Sequence, residues 1–217
     1  MQIAIGLYPE FTALDAIGPY QVLSNVPDAE VVICAEQTGP LPDDNGLLVF
    51  DIVHTFEDVP TPDVLLVPGG IITRRIARDR GPIVDWIRDA HPHTTLTTSV
   101  CTGSLLLGAA GLLEGKVATT HWCAYDTLAS YGATPTEQRV VRDGKIYTAA
   151  GVSSGIDLAL TIVGELWGPE VAQAIQLSIE YDPQPPFDAG APSKAPAPIR
   201  ELVSGIIAGK EAELLGR

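Results

Sequence analysis

Short aliphatic or β-branched runs alternate along the chain with longer stretches of helical periodicity. The runs predict strands at residues 3–8, 30–35, 63–68, 94–100 and 117–121, and a hairpin at 139–149. The helical stretches lie at 14–23, 80–90, 105–113, 124–131, 151–166 and 169–179, and a short hairpin or edge element is predicted at 47–51 and 58–59. This alternation is typical of a parallel sheet that is covered by helices on both faces.

The end of the chain has a different composition from the body. Residues 182–198 are dominated by Pro, Ala and Gly, and residues 199–215 form one further helical stretch. A short helix with a single apolar stripe does not fold alone. We therefore expect one domain over residues 1–217, in which 182–198 form an extended strap and the terminal helix docks on the body or on a partner subunit.

The charge and the residue composition argue against several classes of function. The formal net charge of −14 argues against nucleic acid as a partner, because nucleic-acid binding needs basic patches. We expect no contact with a membrane, because the sequence has no apolar run of about 18 residues and no signal peptide at its start. Three cysteines without Cys-x-x-Cys spacing and four scattered histidines favour neither a disulfide framework nor a metal site. A cytoplasmic protein is the default expectation.

Cys101 has the most informative sequence context. It ends the predicted strand 94–100 and is followed at once by Thr102, Gly103 and an apolar helix. A cysteine at a sharp strand-to-helix turn faces the helix N-terminus, which favours the thiolate, and the same turn presents the serine of nucleophile-elbow hydrolases. The alternative is a buried cysteine that packs as a small hydrophobic residue.

Two further segments are candidates for the same site, since ligands of open α/β sheets bind at the carboxyl ends of strands. Asp15 could exchange protons with the thiol, or it could simply cap the helix that begins nearby. Gly70 and Ile71 follow the buried strand 63–68, and the N–H of the glycine could pair with that of Thr102 to stabilise an anion.

The remaining candidates are weaker. His121 ends the predicted strand 117–121 and could form a Cys–His pair with Cys101, but it could equally be a hydrogen-bonded histidine in a buried turn. Cys34 and Cys123 lack such a context, and we interpret both as packing residues.

Taken together, several motifs resemble the DJ-1/PfpI superfamily over nearly the whole chain, and within it the isocyanide hydratases. The motifs are Leu14-Asp15-x-x-Gly18-Pro19, Val67-Pro68-Gly69-Gly70, Thr98-Ser99-Val100-Cys101-Thr102-Gly103-Ser104, Ala118-Thr119-Thr120-His121-Trp122 and Glu180-Tyr181-x-Pro183-x-Pro185-Pro186-Phe187. The resemblance implies a flavodoxin-like three-layer α/β sandwich with a mostly parallel central sheet, related to the class I glutamine amidotransferases. It also implies a homodimer.

Departures within the superfamily narrow the activity that the resemblance implies. Thr102 follows the cysteine where protease-like members have His, and Asp15 stands where members like DJ-1 itself have Glu. Related regulators carry a DNA-binding helical domain, for which we expect too few residues after the strap. Ile71-Ile72-Thr73-Arg74-Arg75 is bulkier and more basic than the corresponding hydratase loop, which implies a different pocket shape.

The resemblance thus implies a cofactor-independent hydratase that converts an isocyanide and water to an N-formamide through a Cys101 thioimidate. Asp15 would act as acid and base, and Thr102 would steady the sulfur. The alternatives are a redox or ligand sensor without catalysis, and a glyoxalase- or amidase-like cysteine enzyme.

Overall fold

A computed structural model describes residues 1–215, and the side chains through residue 214. Its strands are β1 Gln2–Gly6, β2 Glu30–Ala35, β3 Gly39–Pro42, β4 Val49–Ile52, β5 His54–Thr55, β6 Val64–Val67, β7 Leu96–Val100, β8 Val117–Ala118, β9 Thr134–Pro135, β10 Val140–Asp143 and β11 Ile146–Ala149. Its helices are α1 Ala13–Leu23, α2 Thr73–Asp79, α3 Pro82–Ala90, α4 Gly103–Ala109, α5 Tyr125–Ala129, α6 Ser154–Leu166, α7 Pro169–Ser178 and α8 Ala197–Leu215.

A seven-stranded sheet in the order β10-β11-β7-β6-β1-β2-β5 forms the centre of the fold. Its strands are parallel except for β10, which pairs antiparallel with β11. Strands β6 and β7 are buried along their whole length, as the apolar and β-branched runs predict for strands covered on both faces. The predicted α/β fold with a mostly parallel central sheet is therefore confirmed.

The helices that cover the sheet form two groups. α1 packs on α6, which also contacts α7, whereas α4 packs against α2 and α3. β1, β6 and β7 are neighbours, so their carboxyl ends lie side by side at one edge. α1 and α4 follow β1 and β7, and this connectivity brings Asp15, the Gly69-Gly70 turn and Cys101 to the same edge of the sheet.

Three local predictions are wrong. The helix predicted at 80–90 begins only at Pro82, because Arg80 ends a separate helix, α2, in a left-handed conformation. The hairpin or edge element predicted at 47–51 and 58–59 does not form as such: β4 pairs with β3, and residues 58–59 lie in a turn. The predicted strand 117–121 is reduced to β8, which pairs with β9 outside the main sheet. In each case the sequence shows apolar character but not the pairing partner or the turn that limits the element.

The C-terminal region has the predicted order of strap and helix. Most residues of 182–196 are exposed and form no regular element, and α8 follows as a 19-residue helix. Within residues 1–215, no helix is both long and apolar enough to span a bilayer.

Candidate active site

Cys101 occupies a tight turn between β7 and α4. Its φ is +57°, a left-handed conformation that is uncommon for a residue other than glycine. The turn is fixed by hydrogen bonds of its own backbone: the Cys101 N–H donates to the carbonyls of Ala149 at 3.1 Å and Ala150 at 2.9 Å, and its carbonyl accepts from Thr120 Oγ1 at 3.1 Å. The side chain is 6% exposed. The strand-to-helix turn predicted from the sequence is thus present, and the thiol is nearly enclosed.

Asp15 lies in the first turn of α1 and is fully buried. It does not cap the helix: Thr12 occupies the N-cap position, and Asp15 Oδ2 instead accepts the Gly69 N–H at 2.8 Å. The other oxygen, Oδ1, is buried without a complete hydrogen bond to any described residue. Burying a carboxyl whose oxygens are not both fully hydrogen-bonded is costly, and capping of α1 does not account for this one.

The ionisation of Asp15 and Cys101 is set by burial and by their proximity. Burial raises the pKa of Asp15 from 3.8 to about 7, opposed by the Gly69 N–H and by the Cys101 thiol. Burial also raises the pKa of the Cys101 thiol well above 9.0, and the Asp15 charge raises it further. The Val152 and Thr102 N–H groups donate towards the sulfur and lower that pKa, but they do not overcome burial.

The direction of the pKa shift differs from expectation for Cys101 and agrees with it for Asp15. Cys101 does not have a depressed pKa, because the cost of burying a thiolate outweighs the hydrogen bonds from the Val152 and Thr102 N–H groups. The raised pKa of Asp15 agrees with the expectation, and burial is its main cause. At neutral pH the pair therefore holds a thiol and a carboxyl that is close to half ionised.

Thr102 and Gly70 are joined by two hydrogen bonds. The Gly70 N–H donates to Thr102 Oγ1 at 3.0 Å, and the same hydroxyl lies 2.9 Å from the Gly70 carbonyl, to which it donates. The predicted pairing of the Gly70 N–H with that of Thr102 as an anion-stabilising hole is therefore wrong, since the Gly70 N–H is already used. The Ile71 N–H has no acceptor among the described residues, and Ile71 lines the cavity above Cys101.

The turn after β6 holds these groups close together. A Cβ placed on Gly69 would lie 2.6 Å from the Thr102 nitrogen and 2.9 Å from Asp15 Oδ2. Glycine is therefore required for the backbone to approach both side chains. The buried Tyr8 hydroxyl supports the turn, because it donates to the Pro68 carbonyl at 2.7 Å.

His121 is partnered by Cys123. Its Nδ1 lies 2.9 Å from the Cys123 sulfur and accepts the Cys123 N–H at 3.4 Å. Both contacts are to Nδ1, so Cys123 holds this edge of the imidazole ring. Burial lowers the pKa of His121, and the Arg74 charge lowers it further. No hydrogen bond joins His121 to Cys101 among the described residues, so the hydrogen-bonded-turn interpretation fits better.

A cavity of about 240 Å³ opens above the thiol. It brings together all the predicted site residues except the buried Asp15, and it adds residues that the sequence did not indicate. Its lining residues are Thr12, Asp44, Gly70, Ile71, Arg74, Cys101, Thr102, His121, Cys123, Val152, Ile207 and Glu211. Cys123 is thus a cavity residue rather than a packing residue, while Cys34 is fully buried in β2, as expected.

Comparison with known proteins relates the chain to one family. The model of the DJ-1/PfpI family matches residues 1–165. An isonitrile hydratase from Pseudomonas putida is 46% identical over 199 residues, which cover 92% of this chain and 86% of the relative. A THiJ/PfpI family protein from Pseudomonas syringae has a crystal structure that matches with a TM-score of 0.92 and 40% identity, covering 98% of this chain and 88% of that one.

A regulator is also among the relatives. The HTH-type transcriptional regulator CdhR from Pseudomonas aeruginosa is 32% identical over 145 residues, which cover 66% of this chain and 42% of the regulator. The match to the hydratase is higher in identity and extends over much more of both chains.

Proposed function

Because the chain belongs to the DJ-1/PfpI family, we propose that it is an isocyanide hydratase, which adds water to an isocyanide to give an N-substituted formamide. The observation that carries the proposal is the buried pair of Cys101 and Asp15, in which a protonated thiol adjoins a carboxyl with a pKa of about 7. The 46% identity to an isonitrile hydratase supports it.

In the first step, the thiol adds across the terminal carbon of the isocyanide. Asp15 takes the Cys101 proton, the sulfur forms a bond to that carbon, and the same carbon receives the proton from Asp15. The product is a thioimidate, R–N=CH–S–Cys101, which contains all the atoms of the isocyanide and the thiol. A pKa near the working pH suits a carboxyl that takes and returns one proton.

In the second step, water releases the product. Asp15 takes a proton from water as the water oxygen bonds to the thioimidate carbon, and it passes this proton to the imine nitrogen. The C–S bond then breaks while the C=O bond forms, the remaining hydroxyl proton passes through Asp15 to the sulfur, and R–NH–CHO leaves. Isocyanide and water supply every atom of the product, so the proposed reaction needs no cofactor.

The hydrogen bonds of the turn favour this reaction over amidase-like or glyoxalase-like chemistry. Acyl transfer depends on preorganised donors for an oxyanion. Here the Gly70 N–H already donates to Thr102 Oγ1 and is not free to bind an oxyanion. The first step, addition of the thiol to the isocyanide carbon, forms no oxyanion but does need a group that moves the thiol proton. In the second step the oxygen added to carbon keeps one proton until the C–S bond breaks, so that step also needs proton transfer more than an oxyanion hole.

The sensor alternative is less well supported by the site. Sensor cysteines have low pKa values and are accessible to solvent. Cys101 has a raised pKa and is 6% exposed.

The test is turnover of an aryl isocyanide, followed as N-formamide by mass spectrometry in ¹⁸O-labelled water. We expect one labelled oxygen per product, no turnover by Cys101→Ala, and a loss of at least about 100-fold by Asp15→Asn, since general acid–base groups contribute about 10² to 10⁴. Cys34→Ala is the matched control, because it removes a buried thiol from β2 outside the cavity. Full activity of Cys101→Ala would refute the proposal.

A further inference from the structure

The terminal helix α8 forms part of the wall of the Cys101 cavity. Ile207 and Glu211, one helical turn apart, line the cavity opposite residues of the central fold. The neighbouring Ile206 points away and is 52% exposed. One face of α8 therefore closes the site, whereas the adjacent face is in solvent.

Two arginines of α2 hold α8 in this position. Arg74 forms an ion pair with Glu211 whose side chains are 15% and 20% exposed, and its Nη2 donates to the Cys123 carbonyl at 3.0 Å. Arg75 donates to the Leu214 carbonyl at 3.5 Å. Since the Arg74–Glu211 pair itself lies at the cavity, the docking of α8 and the shape of the site depend on the same contact.

α8 lies outside the part of the sequence that the family model matches. The DJ-1/PfpI family model ends at residue 165, and Cys101, Asp15, Thr102 and the Gly69 turn all lie within it. α8 begins at Ala197, outside the matched part. Ile207 thus adds an apolar wall from outside the part of the chain that the family model matches.

We propose that Ile207 selects substrates by size: the N-substituent of the isocyanide packs against it while the terminal carbon faces Cys101. This inference rests on the proposed function and deepens it. The cavity of about 240 Å³ is smaller than the sites that hold drug-sized ligands, so loss or gain of one side chain changes what fits.

The kinetic test compares kcat/KM for a small alkyl isocyanide with that for a bulky aryl isocyanide. Ile207→Ala should raise the aryl-to-alkyl ratio by about tenfold or more, and Ile207→Phe should lower it similarly, because pocket contacts of this size discriminate by about 10- to 200-fold. Ile206→Ala is the matched control and should leave the ratio unchanged. An Ile207→Ala ratio equal to that of Ile206→Ala would overturn the proposal.

A second measurement does not depend on turnover. Cys101 is alkylated with iodoacetamide and with a bulky N-aryl iodoacetamide, and the modified peptide is quantified by mass spectrometry so that Cys123 is not counted. Ile207→Ala should speed the bulky reagent by about tenfold relative to the small one. If no isocyanide is turned over but this selectivity appears, the proposed reaction fails while the role of Ile207 holds. If turnover is normal and both reagents respond alike, Ile207 does not define the cavity.

Discussion

Replacing Asp15 by asparagine should change how the free energy of unfolding depends on pH. The folded protein holds this carboxyl at a pKa of about 7, mainly because of burial, against 3.8 for an ordinary aspartate. Between these values the folded state binds more protons than the unfolded chain. The folded protein is therefore not penalised at low pH, where Asp15 is protonated in both states. It loses stability as the pH rises towards and through about 7, because Asp15 then ionises in its buried site.

The size of the effect follows from the two pKa values. Moving the pKa from 3.8 to about 7 costs about 4 kcal/mol of stability at pH 8, of which roughly 3 kcal/mol is lost between pH 5 and pH 8. Asparagine does not titrate, and it retains an oxygen that can accept the Gly69 N–H. Any cost of its uncharged amide is the same at every pH.

The assay is urea unfolding of wild type and Asp15→Asn at about pH 5, 6, 7 and 8. The stability of the variant relative to wild type should increase from pH 5 to about pH 7 and level off towards pH 8, while contributions of His91 and His121 cancel because both proteins contain them. Asp51→Asn, at an exposed position in β4, is the control and should follow wild type. A difference between wild type and Asp15→Asn that stays constant within about 0.5 kcal/mol over this range would refute the buried, raised-pKa carboxyl.

Three further predictions concern the same site. Gly69→Ala should lose activity and about 1 to 3 kcal/mol of stability in thermal unfolding, since its Cβ would lie 2.6 Å from the Thr102 nitrogen, whereas Gly190→Ala meets nothing within 4 Å and should be neutral. Thr102→Val should reduce kcat about tenfold or more and lower the free energy of unfolding by about 1 to 3 kcal/mol, because the Gly70 N–H loses its acceptor. Thr102→Ser retains the hydroxyl and should keep kcat and stability near the wild-type values. The alkylation rate of Cys101 should still be rising with pH above the ordinary thiol pKa of about 8.5, and a plateau by neutral pH would contradict the burial argument.

The placement of Cys101 and Asp15 at one edge of the sheet could be predicted from the sequence because strand ends carry local signals. The β-branched run before Cys101 and the small residues after it specify the turn, and the parallel sheet brings Asp15 and Gly70 to the same edge. The ionisation of the thiol could not be predicted in this way. It depends on how far the surrounding chain buries the sulfur, and burial outweighs the backbone N–H groups that stabilise the thiolate.

The residues that form the wall of the cavity could not be predicted from the sequence, for a different reason. Ile207, Arg74 and Cys123 reach the site through tertiary contacts between segments that are about 50 to more than 130 residues apart along the chain. None of them has a local motif. The basic pair Arg74-Arg75 was visible as an unusual feature of its loop, but its role in holding α8 depends on the helix α2, which the pattern did not indicate.

The left-handed backbone at Cys101 lowers the stability of the fold at the very residue that we propose as the nucleophile. A non-glycine residue in this conformation costs about 1 to 2 kcal/mol, so Cys101→Gly should relax the turn while abolishing the reaction. Directed evolution for thermal tolerance alone would tend to discard the nucleophile, as would relaxed selection in a lineage that no longer meets the substrate. If a duplicated copy of the gene keeps cysteine at this position, that retention would indicate that selection still acts on the proposed reaction.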